Sequence, residues 1–219
     1  MSTLKTSKSK ENILSKIRKS LNKDQIDMPY PEVEQRAKEE IYAPDSNSLE
    51  EIFAENFNQL GGKFVFCEDE TALLNNIVKL HENLGWKHML CSEKELLTLL
   101  NNNQLNIAES SEVEIEHADA CITGCETVVA RTGSVILSSK QNMGRTSSIY
   151  YPVHIIVAYT DQVVNDIKDA INHIQKKYGD NIPSMINLNT GPSRTADIEK
   201  TLVVGVHGPG EVFCFLVNR

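Results

Sequence analysis

The segment TGPSRTADIEK, residues 190–200, places a Gly-Pro turn, three hydroxyls, one arginine and two carboxylates in eleven positions and runs directly into TLVVGVHGPGEV. A guanidinium beside free backbone N–H groups can hold a carboxylate or phosphate through paired hydrogen bonds, and a helix start offers such N–H groups. Gly191, Ser193, Arg194, Thr195 and Asp197 are therefore candidate ligand-binding residues. A purely structural reading of the same residues is a turn feeding a short helix. Ser193 or Thr195 would be the cap, with Asp197 in the first turn, where the helix dipole favours negative charge. Downstream, Gly205, Gly208 and Gly210 permit close backbone approach, and His207 between them could touch whatever binds there. His207 and Gly208 join the candidates, although glycine clusters also occur in plain turns.

Two further places lie just after extended runs, where open α/β sheets bind ligands. In ITGCETVVARTGS, Thr123 followed three residues later by Glu126 fits a capping box, and Thr132-Gly133-Ser134 fits a tight turn into the next strand. Glu126, Thr132, Gly133 and Ser134 are candidates for ligand contact as well as for these structural roles. In SSKQNMGRTSSIYYPVHI, Arg145 offers a guanidinium for a carboxylate or phosphate, or a partner for an acidic residue of the same domain. His154, inside an apolar run, reads as a hydrogen-bonded core histidine. Cys121, Cys125 and nearby His117 lack a second pair and a C-x-x-C spacing, so no metal site is expected. Neither a G-x-G-x-x-G or Walker-type nucleotide motif nor a G-x-S-x-G nucleophile turn is present.

The elements that must position these residues follow from periodicity. Ile13, Leu14, Ile17 and Leu21 make the stripe of an amphipathic helix flanked by lysines, and a proline-containing, mixed-charge stretch follows. The expected division is a helical N-terminal arm and linker over 1–44 and an α/β domain over 45–219. From Ser48 onward, helical SLEEIFAENFNQL, extended GGKFVFC, helical DETALLNNIVKLHENL, extended WKHMLC and helical SEKELLTLLNN alternate. Such alternation argues for a mixed, largely parallel sheet layered with helices. TGCETVVA is a short helix candidate; GSVILSS, PVHIIVAY, SMINLN and EVFCFLV are strand candidates; TDQVVNDIKDAINHIQKKYG has Val163, Ile167, Ile171 and Ile174 on one helical face.

Bulk composition narrows the function classes. A formal net charge of −8 argues against a general nucleic-acid binder and leaves room for a small anion at one local site. The five cysteines are irregularly spaced and sit mostly beside apolar residues, as expected of buried, reduced thiols in a cytoplasmic protein. No run is long and apolar enough for a membrane span.

The order ADACITGCETVVARTGSVILSS, MGRTSSIYYPVHIIV and GPSRTADIEKTLVVGVHGPGEVFCFLV resembles the lactate utilization protein C (LutC) family of LUD-domain proteins, over roughly residues 48–219. The resemblance implies a fold similar to the NagB/RpiA/CoA-transferase group. It also implies a part in oxidising L-lactate to pyruvate, as the non-redox member of a system whose partner proteins carry iron-sulfur clusters. The ferredoxin-like cysteine runs of such a partner are absent here, so no cofactor is expected in this chain. Relatives often read A-E-T-G-T where this chain has ARTGS, so Arg131 stands where they carry an acidic residue. The sequence leaves other readings open: a stand-alone isomerase or transferase acting on a sugar phosphate or acyl-CoA, or a structural interaction module; for any of these functions it leaves room for a homo-oligomer.

Overall fold

Runs rich in β-branched and aromatic residues and buried on both faces form parallel strands, because helices must cover each face of the sheet they build. The computed structural model describes residues 6–22, 47–101, 107, 118–141, 145–147, 149–196 and 202–219. The chain separates into two units, Met1–Asp45 and Ser46–Arg219. The first contains helix α1 (Thr6–Leu21), which ends on Arg18 and Lys19 in the last turn, where cations suit the helix dipole. Its apolar stripe of Ile13, Leu14, Ile17 and Leu21 is exposed.

The second unit starts with α2 (Leu49–Gln59), whose N-terminus is closed by a reciprocal capping box between Ser48 and Glu51. Next come β1 (Lys63–Cys67), α3 (Glu70–Leu84), β2 (Met89–Cys91), α4 (Lys94–Asn101) and β3 (Ala120–Thr123). The strands β4 (Thr127–Val129), β5 (Ser134–Ser138), β6 (Val153–Tyr159) and β7 (Val163–Val164) precede α5 (Ile167–Tyr178). The chain then forms β8 (Ile186–Asn189), β9 (Arg194–Ala196), β10 (Leu202–Val204) and β11 (Glu211–Val217).

Five strands make a central sheet in the order β1-β11-β6-β3-β2, and every pairing in it is parallel. Strand alternation divides its apolar side chains between two faces. Phe213, Phe215 and Val217 of β11 join Leu73 and Ile77 of α3 and Leu96 and Leu100 of α4. Val212, Cys214 and Leu216 join Phe53 and Phe57 of α2 and the inner residues Val128, Val135 and Leu137 of a second sheet. That sheet, ordered β7-β4-β5-β8, is mixed: β4 pairs β7 parallel, whereas β4–β5 and β5–β8 are antiparallel. Its outer face, Val129 and Ile136, is covered by Ala170 and Ile174 of α5. The layers therefore run helices, parallel sheet, mixed sheet, helix, which is the mixed α/β architecture expected from the alternation.

Three local expectations are corrected. TGCETVVA is not helical: Thr127, Val128 and Val129 are buried and form β4 between two partner strands, a setting in which β-branched residues fit better than in an isolated short helix. Thr123 consequently ends β3 and caps nothing; its hydroxyl lies 2.8 Å from His154 Nε2 in the core. Arg194-Thr195-Ala196 likewise is a strand and not a cap leading into a helix, because the valine-rich segment after it pairs back antiparallel, Thr195 opposite Val203 and Arg194 opposite Val204. The helix expected from Thr160 starts only at Ile167, where Asp166 is the N-cap. Thr160–Gln162 forms a single 3-10 turn and Val163–Val164 joins the second sheet.

Candidate functional site

Parallel strands all end on the same side, and the loops leaving them surround whatever binds there. In this protein that side holds a cavity of about 760 Å³. Each of the five parallel strands contributes to it from its carboxyl end: Glu70 after β1, Glu93 after β2, Gly124 to Glu126 after β3, Tyr159 closing β6 and Arg219 after β11. Lys140, following β5, and Lys177 and Tyr178, closing α5, complete the wall from the second sheet and its helix.

Glu126 is the anchor of this wall. Its carboxylate accepts from Lys177 Nζ at 2.8 Å, from the Tyr178 hydroxyl at 2.8 Å and from the Ser138 hydroxyl at 2.5 Å. Its side chain is 1% exposed, against 49% for Lys177. Burial by itself pushes the Glu126 carboxyl up, but the hydrogen bonds from Lys177, Ser138 and Tyr178 and the Lys177 charge together hold it below its ordinary value. Burial disfavours the Lys177 ammonium, and the bond to Glu126, the Glu126 charge and Tyr178 together more than compensate, keeping the amine charged. The Tyr178 phenol is raised by burial and by its bond to the carboxylate.

Glu93 is placed differently. One carboxyl oxygen accepts from the Gly124 backbone N–H at 2.8 Å, and a Cβ at residue 124 would lie 2.9 Å from the other oxygen. Glycine at 124 therefore makes the room that Glu93 occupies. Burial raises the Glu93 carboxyl, the Gly124 bond opposes this, and the negative Glu126 raises it further; the result is a carboxyl above the ordinary glutamate value. Two carboxyl groups in one cavity are thus driven in opposite directions, an arrangement that separates a permanent anion from a group able to gain and lose a proton. On the far side, Tyr159 donates to Glu70 at 3.5 Å, and the Arg219 guanidinium lies 4.6 Å from the Tyr159 ring centroid.

Of the described residues named as ligand-binding candidates from the sequence, only Glu126 lines this cavity. Most of the others gather where the parallel strands begin. Ser193 N–H donates to Pro209 O and Gly205 N–H to Ser193 O, each at 2.9 Å, while Gly210 N–H donates to Pro152 O, just ahead of β6, at 2.9 Å. Arg194 Nη2 donates to Leu60 O, ahead of β1. Gly191 has φ 83°, and a Cβ there would meet Leu60 O at 2.9 Å. Gly208 belongs to the same turn, with His207 exposed beside it. The Thr132-Gly133-Ser134 turn is tied to this group through Ser134 Oγ, 2.9 Å from Thr190 Oγ1, and packs on Asn56 and Phe57 of α2. Arg145 stands apart and donates to Ser184 Oγ. Asp197 and His117 lie outside the described residues. Arg131 makes two 2.8 Å bonds to Asp166 and so clamps the β4–β5 turn to the start of α5.

The sequence reading passed over Glu93, Lys177, Tyr178 and Arg219. Glu93 and Arg219 follow extended runs closely, so the rule that ligands bind beyond strand ends reaches them directly. Lys177 and Tyr178, in KKYG, look in sequence like the ordinary basic end of a helix. Among the described residues, no group of three or more His, Cys, Asp or Glu is placed to hold a metal ion, and no helix is long and apolar enough to cross a membrane.

Fold and cavity define the class first: an α/β protein whose central parallel sheet gathers ionisable side chains at its carboxyl edge. The LUD domain profile matches residues 49–217, and the chain belongs to the LUD domain family. It is 32% identical over 174 residues to lactate utilization protein C of Shouchella clausii, an alignment covering 79% of this chain and 70% of that protein. Lactate utilization protein C of Halalkalibacterium halodurans is 33% identical over 61% of each chain. That of Bacillus subtilis is 38% identical over 47% of this chain and 44% of its own, so the chain spans less than two thirds of these last two relatives. The crystal structure of a DUF162 family protein from Deinococcus radiodurans superposes with a TM-score of 0.58 at 21% identity, covering 78% of this chain and 99% of that chain, a likeness of fold.

Proposed function

We propose that this chain serves L-lactate utilization as a member of an iron-sulfur L-lactate-oxidising system that holds no cluster itself and binds a small carboxylate at the carboxyl-end cavity. The observation that carries this reading is the Lys177 ammonium, which lines the cavity, is fixed in place by Glu126 and has a side chain 49% exposed. An ammonium has three donors, and only one is needed by Glu126, so an oxygen of a ligand carboxylate can take another. Relatives named lactate utilization protein C support the metabolic assignment. Support for assigning electron transfer to partner proteins comes from the five thiols, which form no disulfide, are buried and are spread over β1, β2, β3, the turn after β3, and β11. Burial pushes all five up, Cys91 to about 12, so they act as packing groups.

The test is growth on L-lactate of a strain lacking the gene, complemented with wild type or with the double variant Glu126→Gln/Lys177→Met. That variant keeps the volume of the anchor and removes its charge. The wild-type gene should restore growth and the folded double variant should not. Undiminished growth of the deletion strain, or full complementation by the double variant, would count against the proposal.

A further inference from the structure

The two carboxyl groups of the cavity are not equivalent, and the difference is built by geometry. Glu126 accepts from three side chains, Ser138, Lys177 and Tyr178, and is locked as an anion. Glu93 has its described hydrogen bond on one oxygen only, from the Gly124 backbone, and its second oxygen lies over the glycine where no side chain intervenes. Both line one cavity together with Lys177. A proton-transfer group needs an open lone pair on the reacting side and a neighbour able to stabilise the charge that develops.

We propose that Glu93 is a proton-transfer residue acting on a small 2-oxo carboxylate held at Lys177, with Glu126 as the fixed anion that positions the ammonium. The inference rests on the carboxylate-binding reading above and adds a chemical step to it. In that step the Glu93 carboxylate takes a proton from the carbon adjacent to the ligand carbonyl. The C–H electron pair becomes the C=C bond of an enolate, and the carbonyl oxygen takes the negative charge, facing the Lys177 ammonium. Return of the proton from Glu93 restores the ligand, so the step is redox-neutral and needs no co-reactant. Groups bearing on Glu93 are Glu126 from the turn after β3, Glu95 from α4 and Lys177 from α5. Burial raises the Glu93 carboxyl most, Glu126 and Glu95 raise it further while the Gly124 N–H and Lys177 lower it, and the net upward displacement brings it nearer neutral pH, where a carboxylate is a more effective base.

The probe is pyruvate in deuterated water with the full chain, following loss of the methyl proton signal by NMR and, separately, pyruvate binding by calorimetry. Wild type should accelerate exchange over buffer, and Glu93→Gln should lower the rate on the order of a hundredfold, a typical contribution of a positioned acid-base group. Because glutamine keeps the acceptor for Gly124 N–H, binding by Glu93→Gln should stay within about threefold of wild type. The exchange rate should also rise with pH through the Glu93 titration and then level, a profile that a merely structural Glu93 would not give. If wild type binds pyruvate but exchanges it no faster than buffer, or if Glu93→Gln exchanges it as fast as wild type, the proton-transfer role is overturned and the binding reading stands. If wild type binds neither pyruvate nor L-lactate, both are overturned.

Discussion

Lys177→Met should cost more stability than Glu126→Gln, although lysine is the more exposed of the two residues. At 2.8 Å the pair has a gross attraction of about 6 kcal/mol for an effective dielectric constant near 20. Water reaches the half-exposed ammonium and screens much of this, so the net loss in Lys177→Met is nearer 2 to 3 kcal/mol, the range of a hydrogen bond to a charged group. Once free of its partner Lys177 can hydrate, but Glu126, 1% exposed, cannot. Replacing the carboxylate by a neutral amide should therefore cost only about 1 kcal/mol, and adding Glu126→Gln to Lys177→Met should recover most of the loss. For a domain of this size, 2 to 3 kcal/mol corresponds to a Tm lower by roughly 4 to 12 °C. The sign of the pH dependence follows from the depressed Glu126 carboxyl. In wild type its contribution is present above the ordinary glutamate value and is lost as pH falls through the lower folded value. Without Lys177 the carboxyl loses its largest lowering partner and moves up, so the gap between wild type and Lys177→Met should be widest near pH 7 and smaller near about pH 4, closing as pH falls through the depressed Glu126 value. Urea unfolding of the single and double variants at both pH values measures this. Equal stabilities of Lys177→Met and Glu126→Gln near neutral pH, or no recovery in the double variant, would refute the idea that burial of Glu126 dictates the pair.

Arg131→Ala should lower stability by about 1 to 2 kcal/mol, because it removes two 2.8 Å bonds to the Asp166 cap and leaves the start of α5 unclamped; urea midpoints at low and high salt should show a smaller loss at high salt, and salt-independent behaviour would exclude the ion pair as the cause. His154 is buried and neutral, its imidazole pushed down to about 3 by burial. The unfolded chain then takes up a proton below its ordinary value that the fold refuses, so stability should fall by up to about 1.4 kcal/mol per pH unit as pH drops below about 6.5. His154→Gln should flatten that slope, and an unchanged slope would place its origin in other groups.

Residue pattern revealed the layers of the fold better than its pairings. EVFCFLV and PVHIIVAY read as buried strands because both faces are apolar, and they pair in parallel at the centre of the sheet. TGCETVVA did not, because a Thr-x-x-Glu box is the same four letters whether or not a helix follows. What decides the matter is the neighbouring strands β5 and β7, which no local window contains. The candidate site was legible only through Glu126, for a related reason. Its partners Ser138, Lys177 and Tyr178 lie 12, 51 and 52 residues away in the chain. Motif reading favours local density of polar residues and glycine, and so it pointed to residues 190–195 and 205–210, which the fold gathers at the opposite edge of the sheet.

That opposite edge has a bearing on the cavity nonetheless. Gly210 N–H on Pro152 O fixes where β11 and β6 begin, and Ser193 N–H on Pro209 O holds the loop that delivers β11. From there the two strands run in step for seven residues, Glu211 opposite Val153 and Val217 opposite Tyr159, so that Arg219 arrives over the Tyr159 ring. On its other side β11 keeps Val217 opposite Cys67, which brings Glu70 to the Tyr159 hydroxyl. A slip of one residue at the starting edge would turn every side chain of β11 to the other face and exchange the two cores that Phe213 and Cys214 occupy. Gly191, with its positive φ and Leu60 O where a Cβ would stand, supplies the close approach that this starting edge requires. The glycine-rich motifs therefore act on the cavity at a distance, by setting the register in which its walls are delivered.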